Sequence, residues 1–320
     1  MRESDLIRAM WEHFPRSLKQ QNRLFHTDAE IVTIGDMRWA ITMDEFSDEE
    51  DGFGPLDTPT LGHNLVAAVV SDLVAVGATP QFFMHSLTLP PGTESIETFC
   101  SSISETLQQV GAFLIGGDIG QAPAWRYTGV ALGPVLASRP LTREIPVVEQ
   151  DLWVTGKLGA ANLAMFEGRP TPRLTLHTTG VQRFLSRHAT ACIDTSGGLV
   201  DALWCMHEMS PGIRLEVDLS AIPYDPAVVD HAASRDLPLP AFLFGGAGEY
   251  ELLFTAPADL ACEIDATRIG RVLPHEEDGI WLVQGDRSMP LSEAPPCPRE
   301  HADRDDYIRA VLVSVEKALS

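Results

Sequence analysis

The stretch LGHNLVAAVVSDLVAVGATPQFFMHSLTLP, residues 61–90, decides the fold, because a helix and a strand follow each other within it. Leu61–Ala78 is almost continuously apolar and too long for a strand, which predicts a buried helix that ends near Gly77. Gln81–Pro90 is rich in aromatic and β-branched residues, which predicts a strand. A helix that passes directly into a strand is typical of mixed α/β chains.

Neighbouring segments continue this pattern towards both ends of the N-terminal half. Glu30–Ile34 and Met37–Met43 are strand-like and flank Gly35-Asp36, a pair that favours a two-residue hairpin turn. Downstream, Glu94–Val110 predicts a helix, and FLIGGD (113–118) predicts a short buried strand that runs into a glycine turn.

The C-terminal half repeats an order of strand, turn and helix. DLWVTGKLGAANLAMF (151–166) has that order, and so does ACIDTSGGLVDALWCM (191–206). The pattern of strands and helices is interrupted near residue 138, where a segment with two prolines begins. We therefore predict an α/β (α+β) protein of two domains, 1–137 and 138–320.

Composition excludes several classes of function. The 320 residues carry 23 basic and 45 acidic side chains, a net charge of −22, which repels nucleic-acid backbones. No apolar run is long enough to span a membrane, and the N-terminus lacks the apolar core of a signal peptide. The five cysteines are scattered and form no C-x-x-C pair. We expect a cytoplasmic protein with free thiols and neither nucleic-acid nor membrane partners.

Aspartates recur at the ends of apolar runs. They are Asp44, Asp72, Asp118 and Asp194, and Asp118 follows Gly116-Gly117, a pair that lets backbone amides approach an anion. A lone aspartate after a strand usually caps a helix or forms a turn. Clustered carboxylates repel one another unless a cation neutralises them, and Mg²⁺ prefers oxygen ligands. Four such aspartates together predict a magnesium and phosphate site.

Two further segments leave alternatives open. Asp44–Asp51 has six carboxylates in eight residues, and it is either a solvated loop or a loop that reaches the metal site. Gly156–Asn162 lacks the spacing of a Walker A loop. Its glycine turn either offers free amides to a phosphate or serves only as a strand-to-helix turn, and Lys157 either contacts a phosphate or is exposed.

Several motifs, in order along the chain, resemble those of the thiamine-monophosphate kinases. The segment 61–90 resembles the family's stretch around SDL-A-x-GA-x-P, and FLIGGDIG (113–120) resembles its GGD turn. DLWVTGKLGAANLA (151–164) is similar to its VTG-x-LG segment and CIDTSGGLVDAL (192–203) to IDISDGL. GAGEYELLFT (246–255) is similar to GGEDYELLFT. As a set these motifs are specific, although each alone is weak.

The resemblance implies an ATP-dependent phosphotransferase that converts thiamine monophosphate to thiamine diphosphate, a step of thiamine biosynthesis, with several Mg²⁺ ions held by aspartates. It also implies the fold of the synthetase superfamily, in which N-terminal domains pair into a homodimer with a shared β-barrel. Carried onto this chain, the catalytic residues are Asp194 and Asp118. The nucleotide-binding residues are Gly116, Gly117, Thr42 and Ser196, and the metal ligands are Asp28, Asp44, Asp72, Asp118 and Asp194.

This chain also departs from the family pattern. His26-Thr27 stands where the family has two residues of its GDD motif, and Gly197 replaces the second aspartate of IDISDG. Gly120-Gln121 replaces a Thr-Arg pair, and Gly248-Glu249 replaces Glu-Asp. Two other functions therefore remain open: a diverged enzyme that uses ATP on a different small molecule, and a non-catalytic nucleotide-binding or assembly protein.

Overall fold

The computed structural model describes residues 3–47, 49–136, 138–274 and 278–320. Its N-terminal half contains a five-stranded sheet of order β1-β2-β5-β3-β4. The strands are β1 (Glu30–Ile34), β2 (Met37–Ser47), β3 (Phe82–Leu89), β4 (Phe113–Gln121) and β5 (Arg126–Pro134). Neighbouring strands are antiparallel except β3 and β4, which are parallel and are joined by a helix crossover.

The helices of this half, within the described residues, are α1 (Glu3–Trp11), α2 (Pro59–Ala75) and α3 (Glu97–Val110). The apolar stretch that decides the fold becomes α2. Its start is set by Thr58, whose hydroxyl accepts a hydrogen bond from the Leu61 amide, and by Pro59 in the first turn. Helix α3 ends at Gly111 in a left-handed conformation (φ 73°), which a glycine adopts without steric cost.

The C-terminal half contains a seven-stranded sheet of order β12-β11-β8-β10-β6-β9-β7. Its strands are β6 (Gln150–Thr155), β7 (Ala191–Asp194), β8 (Ile213–Asp218), β9 (Leu252–Pro257), β10 (Ala266–Pro274), β11 (Gly279–Gln284) and β12 (Arg287–Leu291). Its helices are α4 (Ala160–Glu167), α5 (Thr179–His188), α6 (Leu199–Met209), α7 (Pro226–Arg235), α8 (Ala241–Phe244) and α9 (Arg304–Leu319), with a 3₁₀ turn at Pro298–Glu300.

Helix α2 is the structural link between the two halves. It packs on strands β2 and β5 of the first sheet and also contacts β7 and α5 of the second half. Leu65 and Val69 on α2 share one buried cluster with Leu185 and Phe254. A helix that is covered on all sides gains from apolar residues all round, which explains why its sequence lacks a polar face. A second core lies between the large sheet and helices α6 and α9.

The structure confirms the mixed α/β class and the hairpin at Gly35-Asp36, and it corrects two local predictions. FLIGGD is not a buried strand that ends in a turn: Gly116 and Gly117 lie within β4, an exposed strand at the edge of the sheet. Strand β2 continues to Ser47, so Asp44 lies inside a strand rather than after one.

The two sheets use residues 30–134 and 150–291, but the domain boundary at 137/138 stays a prediction, and Ala137 lies outside the described residues. Within the parts of the chain that the structure describes, no helix combines the length and apolar character needed to cross a membrane.

Candidate functional site

Asp28 lies in the loop before β1 with a fully buried side chain. Its Oδ1 accepts two hydrogen bonds from the Arg143 guanidinium, from Nε at 2.9 Å and from Nη2 at 2.7 Å. Its Oδ2 is buried and has no hydrogen-bond partner among the residues that the structure describes. Burial raises the pKa of Asp28 to about 6, against the opposing charge of Arg143. A buried carboxylate oxygen without a donor is costly in a protein and indicates a missing ligand.

Asp72 lies in the last turn of α2 and faces the first sheet. Thr42 of β2 donates a hydrogen bond to its Oδ2 at 2.5 Å. Burial raises the pKa of Asp72 well above its usual value. The charges of Asp44, Asp194 and Asp28 raise that pKa further, which shows that like charges surround this carboxyl group.

Asp194 ends strand β7 and is held by two serines. Ser71, which precedes Asp72 on α2, donates to Asp194 Oδ2 at 2.6 Å. Ser196 donates to Oδ1 from its hydroxyl at 2.7 Å and from its backbone amide at 3.2 Å. These donors fix the orientation of the carboxylate between α2 and the second sheet.

The three carboxylates converge. One oxygen each of Asp28, Asp72 and Asp194 lies within 4.8 Å of the other two, and we call these residues the carboxylate cluster. A group of buried like charges at this spacing is unfavourable without a counter-ion, and hard oxygen donors suit Mg²⁺. The unpartnered Asp28 Oδ2 supplies an open coordination position, so the residues present fit a divalent cation.

The other predicted site residues divide into two groups. Thr42 and Ser196 bond directly to the carboxylate cluster, and Asp44 is close enough to perturb Asp72. Asp118, Gly116 and Gly117 instead lie on the exposed edge strand β4. The structure thus brings together part of the predicted set.

The strand register shows why Asp118 is separated from Asp44 and the carboxylate cluster. Asp44 pairs with Gly129, Gly129 with His85, and His85 with Gly117, so Asp44 and Gly117 share a face of the sheet. Asp118 is the next residue and projects from the opposite face. It is also three strands away from β2, roughly 14 Å at the usual strand spacing. A metal or catalytic role for Asp118 stays a prediction.

The backbone amides of the glycine turn Gly156–Asn162 already donate hydrogen bonds to a side chain of the protein itself. The amides of Gly159 and Ala161 donate to Glu249 Oε1 at 2.8 and 3.0 Å. Burial raises the pKa of Glu249 to about 8, although the two amide bonds oppose that rise. The carboxyl group of Glu249 thus occupies the position that an anion would need, and Lys157 is exposed. Of the two interpretations of this turn, the structure favours the strand-to-helix turn.

The acidic segment 44–51 forms one wall of a cavity. Its first residues belong to β2, and Asp51 Oδ2 accepts a hydrogen bond from the Ser47 amide at 2.6 Å. Across the cavity, Arg299 lies 3.1 Å from Glu50. The cavity of about 310 Å³ is lined by Glu45, Phe46, Ser47, Glu50, Asp51 and Arg299. Asp48 lies outside the described residues. The segment is thus partly buried along this cavity, and its first residue, Asp44, lies close enough to the carboxylate cluster to raise the pKa of Asp72.

Sequence reasoning missed three residues at this site. Arg143 lies in the segment with two prolines that begins near residue 138, and Ser71 is hidden within an apolar helix. Tyr250 is buried, adopts an unusual positive φ of 55°, and has its pKa raised by burial and then by the charge of Asp44. Ser71 and Tyr250 lie inside two of the motifs that carry the resemblance, around SDL and GGEDYELLFT, whereas Arg143 lies in none of them and is identified only by its spatial contacts.

Several known proteins are similar to this chain in sequence over most of its length. The family model described as AIR synthase related protein, N-terminal domain, matches residues 26–135. The thiamine-monophosphate kinase of Pyrococcus horikoshii is 28% identical over 96% of this chain and 98% of its own length. That of Methanopyrus kandleri is 30% identical over 71% of this chain and 76% of its own length.

Solved structures share the fold. The thiamine monophosphate kinase from Aquifex aeolicus superposes with a TM-score of 0.70 at 21% identity, covering 90% of this chain and 99% of that one. A structure described as AaThiL complexed with AMPPCP and TMP gives a TM-score of 0.70 at 22% identity, covering 87% and 91%. Escherichia coli HypE, a hydrogenase maturation protein, gives 0.68 at 20% identity, covering 93% and 99%.

Proposed function

The chain belongs to the thiamine-monophosphate kinase family, and on that premise we propose that it transfers the terminal phosphoryl group of ATP to thiamine monophosphate, giving ADP and thiamine diphosphate. The observation that carries the proposal is the carboxylate cluster with its open Asp28 oxygen. A related fold has been solved with AMPPCP and TMP, which is consistent with both substrates.

The residues at the site suit phosphoryl transfer, which depends on positioning and charge neutralisation more than on covalent chemistry. Asp28, Asp72 and Asp194 would hold Mg²⁺, and the bound ion would supply the positive charge that lets polyphosphate approach an acidic site. Thr42 and Ser71 keep the carboxylate oxygens in fixed directions. Without a cation the cluster would repel both phosphorylated substrates, so we propose that activity requires a divalent metal.

The direct test is product formation. Purified protein is incubated with ATP, Mg²⁺ and thiamine monophosphate, and thiamine diphosphate is measured by chromatography. We expect product with the wild-type protein and none with Asp72→Asn, which loses a carboxylate of the cluster. Asp286→Asn, in the exposed turn between β11 and β12, is the matched control and should retain activity. Product from Asp72→Asn at the wild-type rate would refute the assignment.

A different acceptor is the second candidate, and one observation favours it. A side chain at Gly197 would meet Asp201, because a Cβ there would lie 2.3 Å from Asp201 Oδ2. The space for the second aspartate of the family motif is therefore filled from helix α6. If ATP stabilises the protein in a melting assay but thiamine diphosphate does not form, ATP turnover with other small-molecule acceptors distinguishes a diverged enzyme from a non-catalytic nucleotide-binding protein.

We also propose a homodimer formed through the first sheet. Strand β4 is an edge strand, and Phe113, Ile115 and Ile119 on it are more than half exposed. Long exposed edges with apolar side chains are pairing surfaces unless they are covered. Light scattering after size exclusion should give twice the chain mass of 34.9 kDa, and Ile119→Lys should shift the protein towards monomer. A wild-type monomer would refute this part of the proposal.

A further inference from the structure

We infer that Arg143 is the positioning residue of the metal site: it retains one oxygen of Asp28 and thereby presents the other to the cation. The inference rests on the proposed function, because it concerns the metal that this function requires. It adds a residue to that site which belongs to none of the family motifs described above.

The contact between Arg143 and Asp28 is asymmetric. Both guanidinium hydrogen bonds end on Oδ1, at 2.9 and 2.7 Å, and Oδ2, although buried, has no partner in the described part of the chain. An arginine that bonded both carboxylate oxygens would leave neither of them available to a metal ion. Here the planar guanidinium fixes the rotation of the carboxylate through one oxygen and leaves the other free.

The backbone around Arg143 fastens the loop that carries Asp28. The Arg143 amide donates to the His26 carbonyl at 2.9 Å. The next residue, Glu144, bonds the His26 ring at 3.0 Å and the Arg23 guanidinium at 2.6 Å. Main chain and side chains of residues 143 and 144 thus hold the loop 23–28 in one place.

The same segment also bonds the elements that carry the other two aspartates. The Leu141 amide donates to the Val76 carbonyl at 3.1 Å, directly after helix α2 and one turn beyond Asp72. The Cys192 amide donates to the Thr142 carbonyl at 2.9 Å, two residues before Asp194. Three consecutive residues, 141–143, therefore connect to the three separate elements on which the carboxylate cluster is built.

This arrangement decides between two roles for the Arg143 charge. The guanidinium charge by itself would repel a metal ion and weaken its binding. A residue that holds a metal ligand in place strengthens binding instead, and replacing such a residue typically costs 10–100-fold in metal affinity. The hydrogen bonds of residues 141–143 and the free Oδ2 favour the second role, so loss of Arg143 should weaken metal binding.

The test measures Mn²⁺ binding by calorimetry, without nucleotide or thiamine monophosphate. We expect Arg143→Gln to bind Mn²⁺ at least about tenfold more weakly than the wild type. Arg143→Lys should fall between them, because lysine keeps the charge but not the planar pair of donors. Arg268→Gln is the matched control. Arg268 Nε lies 2.7 Å from Oδ2 of the buried Asp151, which is not part of the carboxylate cluster, so this variant should bind Mn²⁺ like the wild type.

A double-mutant cycle tests whether Arg143 acts through Asp28. In an Asp28→Asn background, Arg143→Gln should cause no further loss of affinity. Equal or tighter Mn²⁺ binding by Arg143→Gln would overturn the inference, as would an equal loss in both backgrounds or a wild type that binds no Mn²⁺. If Arg143→Gln does not fold, Arg143→Lys decides, and wild-type affinity in that variant overturns the inference.

The two proposals fail separately. Mn²⁺ binding that depends on Arg143 without formation of thiamine diphosphate would refute only the kinase assignment. Formation of thiamine diphosphate with Mn²⁺ affinity that is indifferent to residue 143 would refute only the role of Arg143.

Discussion

Replacing Glu249 by glutamine should stabilise the protein at neutral pH but not in mild acid. Glu249 is 8% exposed, and its pKa rises from 4.5 to about 8 in the folded protein, chiefly because burial disfavours the charged form. Between these two values the folded protein binds a proton that the unfolded chain releases. Stability from this group is therefore fully present below pH 4.5 and is lost as the pH rises towards about 8.

The magnitude follows from the shift. At pH 7 the solution is about 2.5 pH units above the unfolded pKa of Glu249, and over that interval the unfolded chain has released the proton while the folded protein still retains it. The contribution of Glu249 to the free energy of unfolding is therefore about 3 kcal/mol lower at pH 7 than it is in acid. Glutamine is neutral at every pH, and its Oε1 still accepts from the amides of Gly159 and Ala161. Glu249→Gln should therefore gain about 3 kcal/mol over the wild type at pH 7, relative to the difference at pH 4.5.

Urea denaturation at the two pH values measures this difference. At each pH, the unfolding free energy of the wild type is subtracted from that of the variant. This subtraction cancels the titration of every other group that behaves alike in both proteins. Glu105→Gln, on the exposed side of α3, is the control and should show no such pH dependence. A difference in unfolding free energy that is equal at both pH values would refute the reasoning, because it would mean that folded Glu249 is ionised like an ordinary glutamate.

Three further predictions concern the site and its supports. Ser71→Ala should lower the free energy of unfolding by about 1.5–3 kcal/mol, because it removes a donor to the buried Asp194 carboxylate, and urea denaturation measures the loss. Gly198→Ala should destabilise the protein more than Gly212→Ala: both glycines have φ near +87°, but only at 198 would the Cβ lie 2.3 Å from a carbonyl, that of Gly245. Equal melting temperatures for these two variants would contradict this. Removal of divalent cations with EDTA should lower the melting temperature of the wild type, and Mg²⁺ at about 100 times its Kd should restore about 2.7 kcal/mol; an unchanged melting temperature would argue against a metal at the cluster.

The sequence by itself predicted most of the local elements and the residue types of the candidate site. The continuous apolar run of α2, the strand-like runs and the hairpin turn at Gly35-Asp36 follow from short-range patterns that each segment carries alone, whereas the turn predicted at Gly116-Gly117 was wrong because both residues lie within β4. Motif resemblance then identified Asp28, Asp72, Asp194, Thr42 and Ser196, which the fold brings together. These predictions depended on neighbours in the chain, so the printed sequence was sufficient for them.

Only the tertiary structure decided which aspartates meet and what holds them. Asp118 has the same local signal as Asp194, but the pleat and strand order place it on the far face of an edge strand. Glu249 closes the glycine turn from 90 residues away, and Arg143 reaches Asp28 across 115. Contacts at such separations depend on how the sheets and α2 pack, and that packing is set by burial summed over the whole core rather than by any local pattern.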